Sequence, residues 1–202
     1  MTDPHLMLRR LREGNQRFVD GRAATSLGHR FIPMADQNPE AVILGCADSR
    51  VPAEIIFDQG PGDLFVIRVA GNIVAPSQSA SVEFAVTRFG TRLVVVLGHS
   101  RCGAVLATLE ALKGGYTSDS THMLSIVDRI KPSIHAVLRL GTQLGEDALI
   151  SEAIRANIRA SVQQLTHSSA RIEELVRSGK LQIVGAKYCL ATGHVEFLDL
   201  EN

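Results

Sequence analysis

The sequence predicts an α/β fold, with a mostly parallel β-sheet flanked by helices and an N-terminal helical arm. Short apolar runs recur along the chain without alternating polar residues, which is typical of strands buried on both faces. Segments with apolar residues at helical spacing separate these runs, and this alternation favours right-handed βαβ units and a parallel sheet. Of 202 residues, 45% are hydrophobic, which is enough to bury one sizeable core. We therefore expect a single domain over residues 1–202.

The helical arm and a crossing segment occupy residues 1–40. Residues 5–20 have apolar side chains at helical spacing and predict an amphipathic helix. These side chains are Leu8, Leu11 and Phe18. Residues 22–40 are interrupted by glycine and prolines and predict an irregular segment. The apolar face of the arm has no predicted partner inside the domain, so we expect subunits to exchange their arms.

Four apolar runs predict the strands of the sheet. They are AVILGC (41–46), DLFVIRVA (63–70), RLVVVLGH (92–99) and LQIVGAKY (181–188). Other segments place apolar side chains along one helical face. These predicted helices are residues 79–90, 101–113 and 146–166. Gly90 suits a helix C-terminal cap, and KGGYTSDSTH (113–122) predicts a loop.

Composition excludes several classes of partner and location. Lysine plus arginine equals aspartate plus glutamate, at 21 each, so no basic field exists to attract nucleic acid or anionic lipid. No run approaches the ~20 apolar residues that span a bilayer, and the first residues, MTDPHLMLRR, do not resemble a secretory signal. These observations predict a soluble, cytoplasmic protein without a nucleic-acid or membrane partner.

The three cysteines cannot all pair with one another, and a chain with a core of this size does not need a disulfide framework. Cys46 and Cys102 stand beside other ligand-type residues. Cys189 does not, and is predicted to be a buried strand residue. Six histidines are predicted to be surface or capping residues rather than ligands, namely His5, His29, His122, His135, His167 and His194.

Two motifs with metal-ligand chemistry close the first and third predicted strands. They are CADSR (46–50) and GHSRCG (98–103). Residues i and i+2 of an extended chain point the same way, and the carboxyl ends of parallel strands share one edge of a sheet. Cys102 also begins a predicted helix, whose dipole favours a thiolate. Two sulfurs, an imidazole and a carboxylate at one edge suit tetrahedral zinc.

Each motif alone is a weak signal. The alternative interpretation is a buried cysteine beside a surface Asp–Arg pair, together with a histidine that caps a turn. That interpretation does not explain why both motifs fall at the same edge of the sheet.

The stretch CADSRVPAEIIFDQGPGDLFVIRVAGN (46–72), followed by VVVLGHSRCGAV (94–105), resembles the β-carbonic anhydrases. The resemblance extends from LREGNQRF (11–18) through the last predicted strand. It implies a zinc enzyme that reversibly hydrates carbon dioxide to bicarbonate and a proton. It also implies a homodimer or homotetramer in which N-terminal arms wrap the neighbouring subunit.

In this family, the residues that match Cys46, His99 and Cys102 bind one zinc ion per chain. Asp48 is then either the fourth ligand or is turned onto Arg50, which leaves the fourth position to water. Arg50 is a permanently charged fork that can hold a carboxylate bidentately. We expect this pair to keep Asp48 off the metal and ready to accept a hydrogen bond from the nucleophile. A merely structural ion pair is the alternative.

Hydration of carbon dioxide needs hydroxide near neutral pH, which a metal supplies by lowering the pKa of bound water. In the three-histidine zinc site of carbonic anhydrase that pKa is about 7. Two thiolates cancel the formal charge of zinc, so a site with two cysteines and one histidine polarises water less. We therefore expect turnover to rise with pH above neutral.

The resemblance also implies a small, mostly apolar substrate pocket. Its members would be the side chain of Gln37, the backbone N–H of Gly103 and the apolar walls Phe65, Ala70 and Phe84. Without the family, the two phenylalanines are ordinary core residues and Gln37 is a loop residue. Ala70 and Phe84 also replace the valine and tyrosine often found at these positions.

Some family members carry a tryptophan at the position of Ile43, which supports an inhibitory bicarbonate site. Arg68 and Tyr188 match other parts of that site, but this chain contains no tryptophan. Strong bicarbonate inhibition is therefore not expected.

Two other functions remain open. Carbonyl sulfide and carbon disulfide hydrolases resemble the same family and share its zinc ligands, so the pocket would decide the substrate. A non-catalytic zinc-binding module would hold Asp48 permanently on the metal, since structural zinc sites are closed. Arg50 argues against such a module, because a closed site needs no second partner for the carboxylate.

Overall fold

The structure is a computed structural model that describes residues 3–23, 37–115, 120–140 and 145–198. Within these ranges, five strands form a sheet in the order β2-β1-β3-β4-β5. They are β1 Ala41–Gly45, β2 Leu64–Arg68, β3 Leu93–His99, β4 Gln182–Tyr188 and β5 Val195–Leu198. The first four strands are parallel to their neighbours, and β5 runs antiparallel to β4. The predicted α/β fold with a mostly parallel sheet is confirmed, although β5 was not predicted.

The helices flank this sheet. Among the described residues, one α-helix precedes β1, one lies between β1 and β2, one between β2 and β3, and four between β3 and β4. They are α1 Pro4–Val19, α2 Ala53–Ile56, α3 Pro76–Arg88, α4 Gly103–Leu112, α5 Thr121–Leu140, α6 Glu146–Thr166 and α7 Ala170–Arg177, with a short 3₁₀ turn at Ala70–Asn72. The four predicted helices correspond to α1, α3, α4 and α6. Gly90 lies just beyond α3 with a φ of +68°, as suits a residue after a helix C-terminus. No helix was predicted at α2, α5 or α7.

Alternate side chains of the central strands bury into two separate cores. Val42 and Val94 belong to the core shared with α3, α4, α5, α6 and α7. Ile43 and Val95 belong to the core shared with α1 and α2. All four are 0% exposed, as the continuous apolar runs predict for strands covered on both faces. The molecule is therefore a three-layer sandwich with the sheet in the middle.

The N-terminal helix packs on its own chain, so the expectation that the arm has no partner inside the domain is wrong. Met7 and Leu11 are buried in the core on the α2 side of the sheet. Asn15 is also buried and donates to the carbonyl oxygens of Ile56 and Gly193 at 3.2 and 2.8 Å. The physical reason is that the four-residue helix α2 cannot cover this face of the sheet alone, and α1 covers the remainder.

Helix α6 packs unusually close to the sheet because two glycines lie beneath it. A Cβ at Gly98 would lie 2.6 Å from Ile158 Cδ1, and a Cβ at Gly185 would lie 2.8 Å from Ile158 Cγ2. Neither distance is possible for packed carbon atoms. These glycines on β3 and β4 therefore fix the position of α6 over the central strands.

Strands β1 and β3 are neighbours, but the chain leaves them in opposite directions. It passes from β1 outward to β2 on one side, and from β3 to β4 on the other. Such a topological switch point opens a crevice at the carboxyl ends of the two strands, where α/β proteins bind their ligands. The two sequence motifs lie at this crevice.

The structure also bears on Cys189 and on the two segments predicted to be irregular. Cys189 is partly exposed and lies one residue beyond β4, so the prediction of a buried strand residue is wrong. The predicted loop 113–122 includes Thr121, where α5 begins, and residues 116–119 lie outside the described ranges. Residues 24–36 of the predicted crossing segment, with His29, also lie outside them.

The other five histidines are exposed, as predicted; they are His5, His122, His135, His167 and His194. Among the helices of the described ranges, none has the length and apolar character needed to cross a membrane.

Candidate metal centre

Three side chains with metal-ligand chemistry meet at the switch point. Cys46 directly follows β1, His99 is the last residue of β3, and Cys102 precedes the first residue of α4. All three are buried, and their candidate ligand atoms lie within 4.8 Å of one another. The two sulfurs are 4.0 Å apart. Tetrahedral zinc with Zn–S bonds of about 2.3 Å would hold two sulfurs about 3.8 Å apart, so this spacing fits the metal.

The imidazole of His99 is oriented as a metal ligand. Its Nδ1 lies 3.0 Å from the carbonyl oxygen of Ser100, which can only accept, so Nδ1 carries the proton. Its Nε2 therefore has a free lone pair, and it is buried without a hydrogen-bond partner among the described residues. A buried polar atom of this kind is costly unless something binds it. A metal ion between Nε2 and the two sulfurs would satisfy it.

The two cysteine thiols contact each other, and their pKa values shift in opposite directions. The hydrogen bond with Cys102 is the largest cause that holds the pKa of Cys46 well below its ordinary value, with further donors in the backbone N–H groups of Asp48 and Gly71. The pKa of Cys102 is raised, because that thiol retains the shared proton and is buried. Metal binding would release this proton, since both sulfurs bind as thiolates.

The backbone after β1 is held in place by Arg68, the last residue of β2. Arg68 Nε donates to the carbonyl oxygen of Cys46 at 3.0 Å, and Arg68 Nη2 donates to that of Asp48. Its Cα lies in register with Gly45, which explains how its side chain reaches the motif. This role of Arg68 was not predicted, because only the strand pairing reveals it.

Asp48 and Arg50 form a close pair beside the cluster. The Asp48 carboxylate accepts from Arg50 Nε at 3.0 Å, from Nη2 at 2.7 Å and from the backbone N–H of Arg50 at 2.9 Å. The side-chain hydrogen bonds from Arg50 are the main cause that lowers the pKa of Asp48 below its usual range. Asp48 Oδ2 lies 3.8 Å from His99 Nε2, so the carboxylate is ionised and within a short movement of the cluster.

The predicted pocket residues are more widely spread. Gly103 begins α4 beside Cys102, and Ala70 precedes Gly71, whose N–H contacts Cys46. Gln37 is exposed in the segment before β1. Phe65 and Phe84 contact each other, with ring centroids 6.4 Å apart, and Phe84 is 53% exposed.

The register of the sheet separates these aromatic rings from the metal cluster. Phe65 pairs with Val42, four residues before Cys46, which is about 13 Å at 3.3 Å per residue. Within one chain, the two phenylalanines therefore do not adjoin the cluster.

A surface cleft of about 910 Å³ lies elsewhere, among α3, α5 and α6. Its lining includes Arg129 and His167 but none of the cluster residues. The ligand-type chemistry is concentrated at the switch point and not in this cleft.

Comparison with known proteins gives a consistent result. The carbonic anhydrase family profile matches residues 41–195. Carbonic anhydrase 2 of Mycobacterium tuberculosis is 41% identical over 201 residues, which cover 98% of this chain and 94% of that protein. A carbonic anhydrase of Mycolicibacterium smegmatis is 40% identical over 198 residues, with 96% and 93% covered. A tetrameric β-carbonic anhydrase of Sordaria macrospora has the same fold, with a TM-score of 0.74, 24% identity and coverage of 97% and 96%. The chain therefore belongs to the β-carbonic anhydrase family and is an enzyme of that family.

Proposed function

We propose that the protein catalyses the zinc-dependent, reversible hydration of carbon dioxide to bicarbonate and a proton, as a lyase. The observation that carries this proposal is a buried set of two cysteine sulfurs and a histidine ring nitrogen within 4.8 Å of one another. The histidine Nε2 has no hydrogen-bond partner in the part of the chain that the structure describes. Cys46, His99 and Cys102 would hold one zinc ion per chain. When bound, zinc would supply the Lewis acidity that makes hydroxide available near neutral pH.

Asp48 and Arg50 control access to the fourth position of this site. Arg50 holds both carboxylate oxygens, so Asp48 is kept as an acceptor beside the cluster and does not close it. In this position Asp48 can accept a hydrogen bond from the attacking nucleophile and fix its orientation. The same pair supports catalysis over a non-catalytic zinc-binding module, whose site would be closed.

The substrate pocket would be mostly apolar, since carbon dioxide is small and uncharged. The proposed members are Gln37, Phe65, Ala70, Phe84 and the N–H of Gly103. Phe65 and Phe84 lie far from the cluster of their own chain, so they would line the pocket of a neighbouring subunit in a homodimer or homotetramer. The Sordaria proteins are described as tetrameric. We propose an oligomer of this kind in the cytoplasm, without nucleic-acid or membrane partners.

Stopped-flow measurement of carbon dioxide hydration across pH tests the reaction. With two thiolates on zinc, the rate is expected to rise above neutral pH. A rate that is flat from mildly acidic to alkaline pH would contradict the assignment of the ligands.

Carbonyl sulfide and carbon disulfide hydrolysis is the alternative on the same ligand set. Assays with carbon dioxide and carbonyl sulfide on the same zinc-loaded preparation separate the two reactions. Higher kcat/KM for carbonyl sulfide than for carbon dioxide would favour the hydrolase.

A further inference from the structure

Asn157 lies on α6, and its buried side chain reaches toward the candidate metal centre. It is 3% exposed, and its Nδ2 donates to the carbonyl oxygen of Gly71 at 2.9 Å. Gly71 in turn donates its N–H to Cys46 Sγ at 3.4 Å. We propose that Asn157 is a positioning residue for the metal centre, which holds the Gly71 turn so that its N–H points at the Cys46 sulfur. This inference rests on the proposed function, because it requires Cys46 to bind zinc.

The turn that carries Gly71 needs support from outside itself. Gly71 has a φ of +72°, and the following residue, Asn72, has a φ of +44°, which a residue with a side chain adopts at a cost. A Cβ at Gly71 would lie 2.8 Å from Ile130 Cδ1, so a larger residue cannot occupy this position. The turn is closed internally by the Asn72 N–H, which donates to the carbonyl oxygen of Val69 at 3.1 Å. The hydrogen bond from Asn157 also ties this turn to helix α6.

Helix α6 is well suited to provide this contact. The residue after Asn157 is Ile158, whose side chain fills the space above Gly98 and Gly185. These contacts set the height and rotation of α6 over the sheet, independently of the metal centre. The fold therefore fixes the position of the Asn157 amide. The hydrogen bond from this amide then holds the Gly71 turn in place.

The chemical consequence concerns the charge on the Cys46 sulfur. An N–H that points at a thiolate withdraws electron density from it and reduces its donation to a metal. The same N–H fixes the position of the sulfur and favours the thiolate over the thiol, and these two effects outweigh the reduced donation. Loss of a hydrogen-bond partner behind a metal ligand typically costs 10- to 100-fold in metal affinity or activity. Asn157 would act on Cys46 in this way through a single intervening residue.

Two variants of similar shape test the proposal. Asn157→Leu removes the amide donor, and Asn157→Asp replaces it with a carboxylate that accepts only. We expect both to lower zinc affinity roughly tenfold or more, measured by competition with a chromophoric chelator. In the Co²⁺-loaded protein, the thiolate-to-cobalt charge-transfer band should move to lower energy, because the sulfur becomes a stronger electron donor.

The matched control is Ser161→Ala, which changes another buried polar residue one turn farther along α6. It should leave zinc affinity and the cobalt spectrum as in the wild type. A purely structural role for Asn157 would lower the thermal midpoint without moving the charge-transfer band, and that result would overturn the proposal.

A direct measurement on the wild-type protein tests the proposal even if the variants do not fold. With ¹¹³Cd in place of zinc, the Gly71 amide proton should show scalar coupling to the metal through Cys46 Sγ. Absence of this coupling would overturn the proposal. Failure of the proposed function is distinguishable, because it would appear in the wild type as an absence of zinc binding or carbon dioxide hydration.

Discussion

At the scale of single residues, the chemistry depends on where one carboxylate lies. Asp48 is held by three donors of Arg50, yet its Oδ2 is only 3.8 Å from His99 Nε2. Within the described ranges, that nitrogen has no hydrogen-bond partner. The two side-chain donors form the bidentate pairing that favours arginine over lysine at such positions. In the proposed enzyme, the guanidinium of Arg50 would therefore compete with the metal for Asp48, and the outcome would decide whether the fourth position is open.

Replacement of Arg50 by glutamine should shift this competition toward the metal. Without the guanidinium, Asp48 is free to become the fourth ligand, which leaves zinc bound but closes the site. We expect kcat/KM for carbon dioxide hydration to fall roughly 10- to 100-fold while the zinc content per chain stays the same. Stopped-flow kinetics and metal analysis on one preparation measure both quantities.

Arg50→Lys is the matched control, because it keeps the charge and loses the planar fork. Its activity should lie between those of the wild type and Arg50→Gln. Full activity in Arg50→Gln would show that the ion pair is only structural.

The principal site residues could be predicted from the sequence for a simple reason. The alternation of an extended chain predicts Cys46 and Asp48 on one side, and the carboxyl ends of parallel strands bring His99 to the same edge. The contributions of Arg68 and Gly71 could not be predicted in this way. Arg68 binds backbone oxygens, Gly71 offers a backbone N–H, and both contacts depend on strand register and turn conformation.

At the scale of elements, one buried amide on α1 bonds to two other parts of the molecule, in addition to the apolar contacts of this helix. Asn15 donates to the carbonyl oxygens of Ile56 and Gly193, and its Oδ1 accepts from the N–H of Val195 at 2.8 Å. One side chain therefore links α1 to α2 and to the start of β5.

Asn15→Leu should destabilise the protein strongly, because it removes the side-chain partner of three buried or partly buried backbone groups. We expect a loss of about 3 kcal/mol in the free energy of unfolding, given about 1–3 kcal/mol for each unsatisfied group and some access of water. Urea denaturation measures this change. Gln16→Ala, at an exposed neighbouring position, should change the same quantity by less than about 0.5 kcal/mol. Equal effects of the two substitutions would contradict the role given to Asn15.

A second inter-element contact predicts a dependence of stability on pH. Arg155 on α6 donates to both carboxylate oxygens of Glu196 on β5, at 2.7 and 2.6 Å, and these bonds lower the pKa of Glu196. Because that pKa is lower in the folded than in the unfolded chain, the pair stabilises the fold above the ordinary glutamate pKa of about 4.3. The stabilisation is lost as the pH falls below that value.

Comparison of the wild type with Glu196→Gln tests this sign. The Glu196 side chain is 48% exposed, so solvent screening keeps the difference near neutral pH below about 1 kcal/mol. Thermal unfolding at several pH values should show the wild type more stable near neutral pH and equal to the variant in acid. A difference that grows in acid would have the wrong sign.

The elements that were not predicted share identifiable causes. Helix α5 has buried Val127, Ile130 and Ile134 at helical spacing, but Pro132 within it suggests a break in the pattern. Helix α2 has four residues, too few to show a period, and β5 is equally short. Long apolar segments carry enough residues for a pattern to emerge, and these short elements do not.

At the scale of the whole molecule, strand order determines where the site lies. The order β2-β1-β3-β4-β5 places the switch point between β1 and β3, the two strands that carry the motifs. Helices on both faces close the sides of the sheet, so the carboxyl edge is left for binding. The sequence indicated the strands and their parallel sense, but it did not show that α1 covers one face of its own chain.

The proposed substrate pocket depends on the assembly of subunits. Phe65 pairs with Val42, which lies about 13 Å from Cys46 along the sheet. One chain alone therefore does not complete the proposed pocket. Sedimentation velocity of the zinc-loaded protein should give two or four times the chain mass of 21.8 kDa. An active species of single-chain mass would contradict an aromatic wall contributed by a neighbouring subunit.

The most direct measurement for the central claim is reconstitution of the protein with zinc. Carbon dioxide hydration would be followed by stopped flow after removal of metal with a chelator and during stepwise addition of Zn²⁺. The expected result is no catalysis above the buffer rate in the metal-free protein and a linear return of activity that ends at one zinc per chain. Cys46→Ser should lose both the bound zinc and the activity. Hydration that persists without metal, or a protein that binds one zinc per chain and remains inactive, would contradict the assignment.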